Sequence, residues 1–152
     1  MPKHEAKRVS IVTLKMVREA SFLYGQRQIN SPSDAHLLMS GFIADADREQ
    51  FCIACLNTKH EPTCISTISI GTLNSSVVHP REVFKLALLA NAHCILLFHN
   101  HPSGNPSPSL EDQDVTRRIY EAGQVMGIEV MDHIIIGSDG HYVSLKERGV
   151  IG

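Results

Sequence analysis

His99-Asn100-His101-Pro102-Ser103-Gly104-Asn105-Pro106-Ser107-Pro108-Ser109-Leu110-Glu111-Asp112 follows directly on the apolar run Cys94-Ile95-Leu96-Leu97-Phe98. A short, unbroken apolar run of this kind reads as a strand covered on both faces. Side chains alternate along a strand, so His99 and His101 share one side and Asn100 takes the other. The Pro, Ser and Gly that follow let the chain turn back into a helix whose first turn carries Asp112. That carboxylate can then approach both imidazoles. Two histidines and one carboxylate are the protein ligands of an open zinc site, with the fourth position left to water. Each part also has a plainer explanation. Ser109-x-x-Asp112 resembles a capping box, and Gly104 among prolines resembles a rigid turn.

Outward from this stretch, the chain reads as one α/β unit of 152 residues, long enough to bury roughly 70% of its unfolded surface. Val9 to Val17 is β-branched and partly alternating, which predicts a strand. Ser31-Pro32-Ser33-Asp34 opens a helix, with Leu37, Leu38, Phe42 and Ile43 on its inner stripe, that ends near Ala44 to Ala46. Phe51–Leu56 and Thr63–Ile70 read as an antiparallel hairpin, and Gly71–Ser76 as loop. Pro80–Asn91 predicts a helix and His93–His99 the central strand. Leu110–Gly127 is a further helix. One or two strands are expected over Ile128–Ile136, then a turn at Gly137-Ser138-Asp139-Gly140 and a last strand over His141–Leu145.

Composition removes several classes. Hydrophobic residues make up 43% and charged residues 20%, as in ordinary soluble domains. No apolar run approaches the roughly 20 residues that cross a bilayer. Met1-Pro2-Lys3-His4-Glu5 lacks the apolar core of a signal peptide, so a cytoplasmic location is the expectation. Net charge is −2, which argues against a polyanion binder. The first thirty residues are locally basic, with Lys3, Lys7, Arg8, Lys15, Arg18 and Arg27 against Glu5 and Glu19. A solvated surface explains such an excess more simply than nucleic acid does. Cys52 and Cys55 have the spacing of a metal or redox pair, but on a strand an odd separation puts them on opposite faces. With Cys64 and Cys94 they read as buried thiols in a reducing compartment.

The opening stretch resembles the metalloprotease motif of JAMM/MPN domains, and more closely the RadC branch of bacterial proteins. His99 to Pro106, Pro80-Arg81-Glu82-Val83-Phe84 and Asp132-His133-Ile134-Ile135-Ile136-Gly137 carry that resemblance, which runs from about Ser31 to Gly149. It implies a central mixed, largely antiparallel sheet flanked by helices, of the cytidine-deaminase-like or JAB1/MPN type. It divides the chain into an N-terminal extension, 1–30, and a metallohydrolase domain, 31–152. The helical region that precedes this domain in full-length RadC proteins is not recognisable, so the chain is similar to the short, single-domain form.

The resemblance also assigns roles. His99, His101 and Asp112 would bind Zn²⁺, and Ser109 would hydrogen-bond the oxygen on which charge develops. The general base would be a glutamate near the start of an early strand, the place that Glu49 occupies. Glu82 is the rival, although an acid in the first turn of a helix is favoured by the dipole alone. Asp132-His133 either shapes the site from behind a ligand or is simply a strand entry with a satisfied histidine. The expected function is zinc-dependent hydrolysis of an amide bond in a peptide or protein substrate, with no membrane partner. The alternatives are a DNA-associated, repair-linked protein without catalysis, and a scaffold. Against DNA binding, aromatic residues are 5% and are not interleaved with basic ones.

Overall fold

The computed structural model describes residues 4–43, 46–71 and 78–152. The expected end of the first helix, the loop after residue 71 and Val77 fall partly or wholly at 44–45 and 72–77, outside the described residues. The elements are α1 (Pro32–Ile43), β1 (Gln50–Leu56), β2 (Pro62–Ile70), α2 (Pro80–Leu89), β3 (Cys94–Asn100), α3 (Leu110–Met126), β4 (Glu129–Ile136) and β5 (Tyr142–Ser144). They form one five-stranded sheet in the order β2-β1-β3-β4-β5. Three neighbouring pairs are antiparallel and β3–β4 is parallel, the mixed α/β sheet that was expected. A parallel pair needs a crossover, and α3 supplies it.

All seven residues of β3 are buried, because helices cover both faces of the sheet centre. On one face Phe51, Ile53, Ile95 and Leu97 pack with Val83, Phe84 and Ala87 of α2 and Val115 and Ile119 of α3. On the other, Cys52, Ala54, Leu96 and Phe98 pack with Ala35, Leu38, Met39 and Ile43 of α1. Cys52 and Cys55 therefore do lie on opposite faces, and all four cysteines are unbridged. Across the hairpin Cys55 stands opposite Cys64, a juxtaposition set by strand register.

The strand expected over Val9–Val17 does not form. Residues 4–23 have no regular structure and are exposed throughout, with Ile11 and Leu23 fully so. β-branched alternation favours a strand only where another strand supplies hydrogen bonds, and none lies alongside among the described residues. Tyr24 to Ile29 is tied down. The Ile29 N–H donates to the His60 carbonyl at 2.9 Å, and Arg27 Nε lies 2.7 Å from Glu61 Oε2.

Helix α3 approaches the sheet through Gly123, where a Cβ would stand 2.5 Å from the Ile128 carbonyl oxygen and 3.3 Å from Phe84 Cζ. In an open helix interior Gly→Ala stabilises by about 1 kcal/mol. Here the rigid backbone contact reverses the sign, and Gly123→Ala is expected to lower the unfolding free energy by about 1–3 kcal/mol in urea titrations.

Candidate metal centre

β3 delivers His99 to the face covered by α2 and α3, since Phe51 and His99 are cross-strand partners. His101 lies just past the strand, its N–H bonded to the Ile136 carbonyl at 2.9 Å. The loop then closes on itself. Gly104 N–H donates to the His101 carbonyl, and its own carbonyl accepts from Ser138 N–H at 3.0 Å in the β4–β5 turn. Gly104 has φ +90°, and a Cβ there would meet Ser138 Oγ at 2.6 Å, while a Cβ on Gly137 would strike the Gly104 carbonyl. Two glycines thus let the histidine loop lie against the turn.

Ser109 caps α3. Its Oγ accepts from Asp112 N–H at 3.0 Å, and its own N–H donates to Asp112 Oδ2 at 2.8 Å, so the capping box is real. The same carboxylate faces the histidines. Its Oδ2 is 3.1 Å from His101 Nε2 and its Oδ1 is 3.5 Å from His99 Nδ1. Helix capping and the approach of the carboxylate to the two histidines are one arrangement.

One ligand atom from each of His99, His101 and Asp112 can be chosen so that all lie within 4.8 Å of one another. Bonds of about 2.0–2.1 Å in a tetrahedron put neighbouring ligands roughly 3.4 Å apart, close to the separations seen. Hydrogen bonding supports the fit. His101 Nδ1 sits 2.8 Å from the Asn105 carbonyl, which can only accept, so Nδ1 carries the proton and Nε2 can present its lone pair. Both ring nitrogens of His99 are buried without a hydrogen-bond partner among the described residues. A buried donor or acceptor left in that state costs about 1–3 kcal/mol. A cation beside the ring removes that cost.

The charges agree. Burial lowers the His99 pKa below its ordinary value, with Asp112 opposing and His101 reinforcing, so the ring is neutral and able to ligate. Burial alone would raise Asp112, but the hydrogen bonds from His101 and the Ser109 N–H, with the nearby imidazoles, hold its carboxyl at about 2. The His101 hydrogen bond to Asp112 raises the His101 pKa against desolvation. A metal ion would take the place of that proton.

Glu49 precedes β1 and is half-buried, with Oε2 3.7 Å from His99 Nε2. Asn100, on the opposite side of β3, holds it there. Asn100 Nδ2 donates to the Arg48 carbonyl at 2.9 Å, and Gln50 N–H donates to Asn100 Oδ1 at 2.6 Å. One buried amide pins the backbone on both sides of the glutamate. Glu82 is elsewhere in its bonding: it is exposed and paired with Lys85 at 3.3 Å on the surface of α2.

Asp132 and His133 separate. Asp132 accepts from Ser144 Oγ, His133 N–H and Lys146 N–H, and so binds β4 to the segment around β5. His133 faces the metal side, edge-on to Phe51. Thr116 has one proton and donates it to the Asp112 carbonyl at 2.6 Å, so it accepts from His133 Nδ1, also at 2.6 Å. Thr116 links His133 to the ligand-bearing turn of α3. Its threonine identity was the only signal in sequence, and it is a weak one.

The model of the RadC-like JAB domain family matches residues 29–150. A UPF0758 protein of Desulfitobacterium hafniense (strain DSM 10664 / DCB-2) is 57% identical over 124 residues, 81% of this chain and 54% of that protein. One from Rubrobacter xylanophilus is 49% identical over 145 residues, 94% of this chain and 63% of its own. One from Methanosarcina barkeri is 48% identical over 126 residues, 83% and 55% respectively. The chain spans little more than half the length of such relatives.

Two outcomes test these contacts. Asn100→Ala is expected to cost about 2–3 kcal/mol of stability, because it leaves two backbone groups unpaired, while metal content is retained. His133 is pushed down to about 3, first by burial, with the neighbouring His99 imidazole adding to it. An unfolded histidine takes a proton near 6.5, so the unfolded state binds more protons between about pH 6.5 and 3, and stability falls as pH drops through that window. The chelator-treated chain is expected to lose about 1.4 kcal/mol per pH unit from His133, and His133→Gln to flatten the slope in urea titrations at pH 7, 6 and 5.

Proposed function

The chain belongs to the RadC-like JAB domain family, and on that premise we propose that it is a zinc-dependent hydrolase of amide bonds, a peptidase or isopeptidase. One observation carries this reading: a fully buried His99 stands between the carboxylates of Asp112, 3.5 Å away, and Glu49, 3.7 Å away, beside His101. His99, His101 and Asp112 would hold the ion. Zinc bound there supplies a water whose pKa is lowered to near 7 and a Lewis acid for the scissile carbonyl.

The protein's own groups supply the remainder. Glu49, outside the ligand set and partly open to solvent, takes the proton of the attacking water and passes it to the leaving amine. Asn100 keeps that carboxylate at the site's edge through the backbone on either side. Ser109 uses its oxygen to accept from Asp112 N–H, which leaves its hydroxyl proton to donate to the developing oxyanion. The Phe51 and His133 rings close the inner wall and keep bulk water from that side.

A peptide or protein is the substrate class proposed, with the chain working in the cytoplasm. No helix among the described residues is long and apolar enough to cross a membrane. The DNA-associated reading has support only from the basic arm. Residues 31–152 carry fourteen acidic against eight basic residues.

Elemental analysis of the chain purified without chelators is expected to find about one zinc per chain, lost in His101→Ala. Glu49→Gln is expected to keep the zinc and lose about 10²–10⁴-fold in turnover of a fluorogenic peptide library. A metal-free wild type, or a fully active Glu49→Gln, overturns the proposal.

A further inference from the structure

Residues 4–23 leave the body as an exposed arm, and their composition does not suit solvent. Val9, Ile11, Val12, Leu14, Met16 and Val17 are each between 47% and 102% exposed. The accessible surface of the chain is 9757 Å², against about 7,700 Å² for a compact monomer of its mass. The excess of roughly 2,000 Å² exceeds the ~800 Å² that each partner buries in a standard interface.

The sheet has a matching vacancy. β5, at one edge, is three residues long and offers little to pair with. β2, at the other, runs for nine residues, Pro62–Ile70, and contains no charged residue. Its only proline is the first residue, so the usual devices that protect an edge are missing. Cys64, Ile65 and Ile68 are only half-buried, since β2 has no outer neighbour among the described residues. Val9–Val17 is also nine residues, with apolar side chains on both faces of an extended backbone.

Charge selects the occupant. Residues 1–30 carry six basic against two acidic residues, and residues 31–152 carry eight against fourteen. The arm thus complements the body of its own kind. Its root is bonded to the turn before β2 through Arg27–Glu61 and Ile29–His60, while residues 4–23 are exposed and belong to no strand of the sheet.

We propose that the chain forms a two-fold dimer in which residues 9–17 of each protomer add as a sixth strand along β2 of the other. The exchange is isologous, so each contact is made twice, and a strand that has no partner in one chain acquires one. The proposal involves none of the metal ligands and stands independently of the hydrolytic reading.

Light scattering on the full chain at ~50 µM is expected to give about 34 kDa, twice the 16.8 kDa of one chain. The double variant Ile11→Asp/Leu14→Asp alters only exposed arm residues and is expected to give a folded monomer that still melts cooperatively, at a lower temperature than the dimer and independently of protein concentration. Hydrogen exchange adds the location: amides of Thr63–Ile70 should exchange at least ~10-fold faster in the double variant than in wild type. A monomeric wild type overturns the proposal, whether or not β2 is protected. So does a dimer that survives the double substitution, or one lost without any change in β2 exchange.

Discussion

The carboxylate of Asp112 is the constraint on which the site depends. It accepts the Ser109 N–H that closes the first turn of α3, and it lies against the nitrogens of both His99 and His101. A buried carboxylate without compensation would be driven to its neutral form. Two histidines and a helix N-terminus keep it ionised instead, and it in turn draws the imidazoles to one point. The stability of the crossover helix and the assembly of the ligand set are therefore the same interaction.

Around that carboxylate, the side chains that could hold a metal and the glutamate beside them are located by neighbours that point away from the group. Asn100 reaches away from the histidines yet fixes Arg48 and Gln50, so the glutamate between them has a defined origin. Thr116 ties His133 to the carbonyl of Asp112 itself. The Gly104–Ser138 contact seats the loop against the β4–β5 turn. Such supports convert three side chains that could ligate a metal into a preformed site, with little left to order on binding.

Residues 4–23 obey a different physics. The body is closed by two apolar layers on a sheet, whereas the arm places apolar residues in water with no layer of its own. Alternation of β-branched residues is a correct signal of strand-forming capacity. Whether a strand exists depends on an edge to receive it, and the edge is a property of the assembled sheet.

The division between sequence and tertiary structure follows from the range of each interaction. Strand alternation, proline at a helix start, glycine after a helix end and the His-x-His spacing are local, so the β1–β2 hairpin, the three helices, the central strand and a His99-His101-Asp112 group that could hold a metal were legible without a fold. The opposite faces of Cys52 and Cys55 followed from parity alone. The separation of Asp132 from His133 is parity too, but which face held the site was decided by which helices covered it. The link from Asn100 to Arg48 and Gln50, the Thr116–His133 bond and the facing of Glu49 toward His99 join residues 17 to 52 positions apart. Such contacts depend on strand order and register, which no stretch of the chain encodes by itself. The sequence by itself determined which residues could chelate and cap. Only the packed sheet decided which glutamate stands beside them, because proximity across β1 and β3 exists only once those strands have paired.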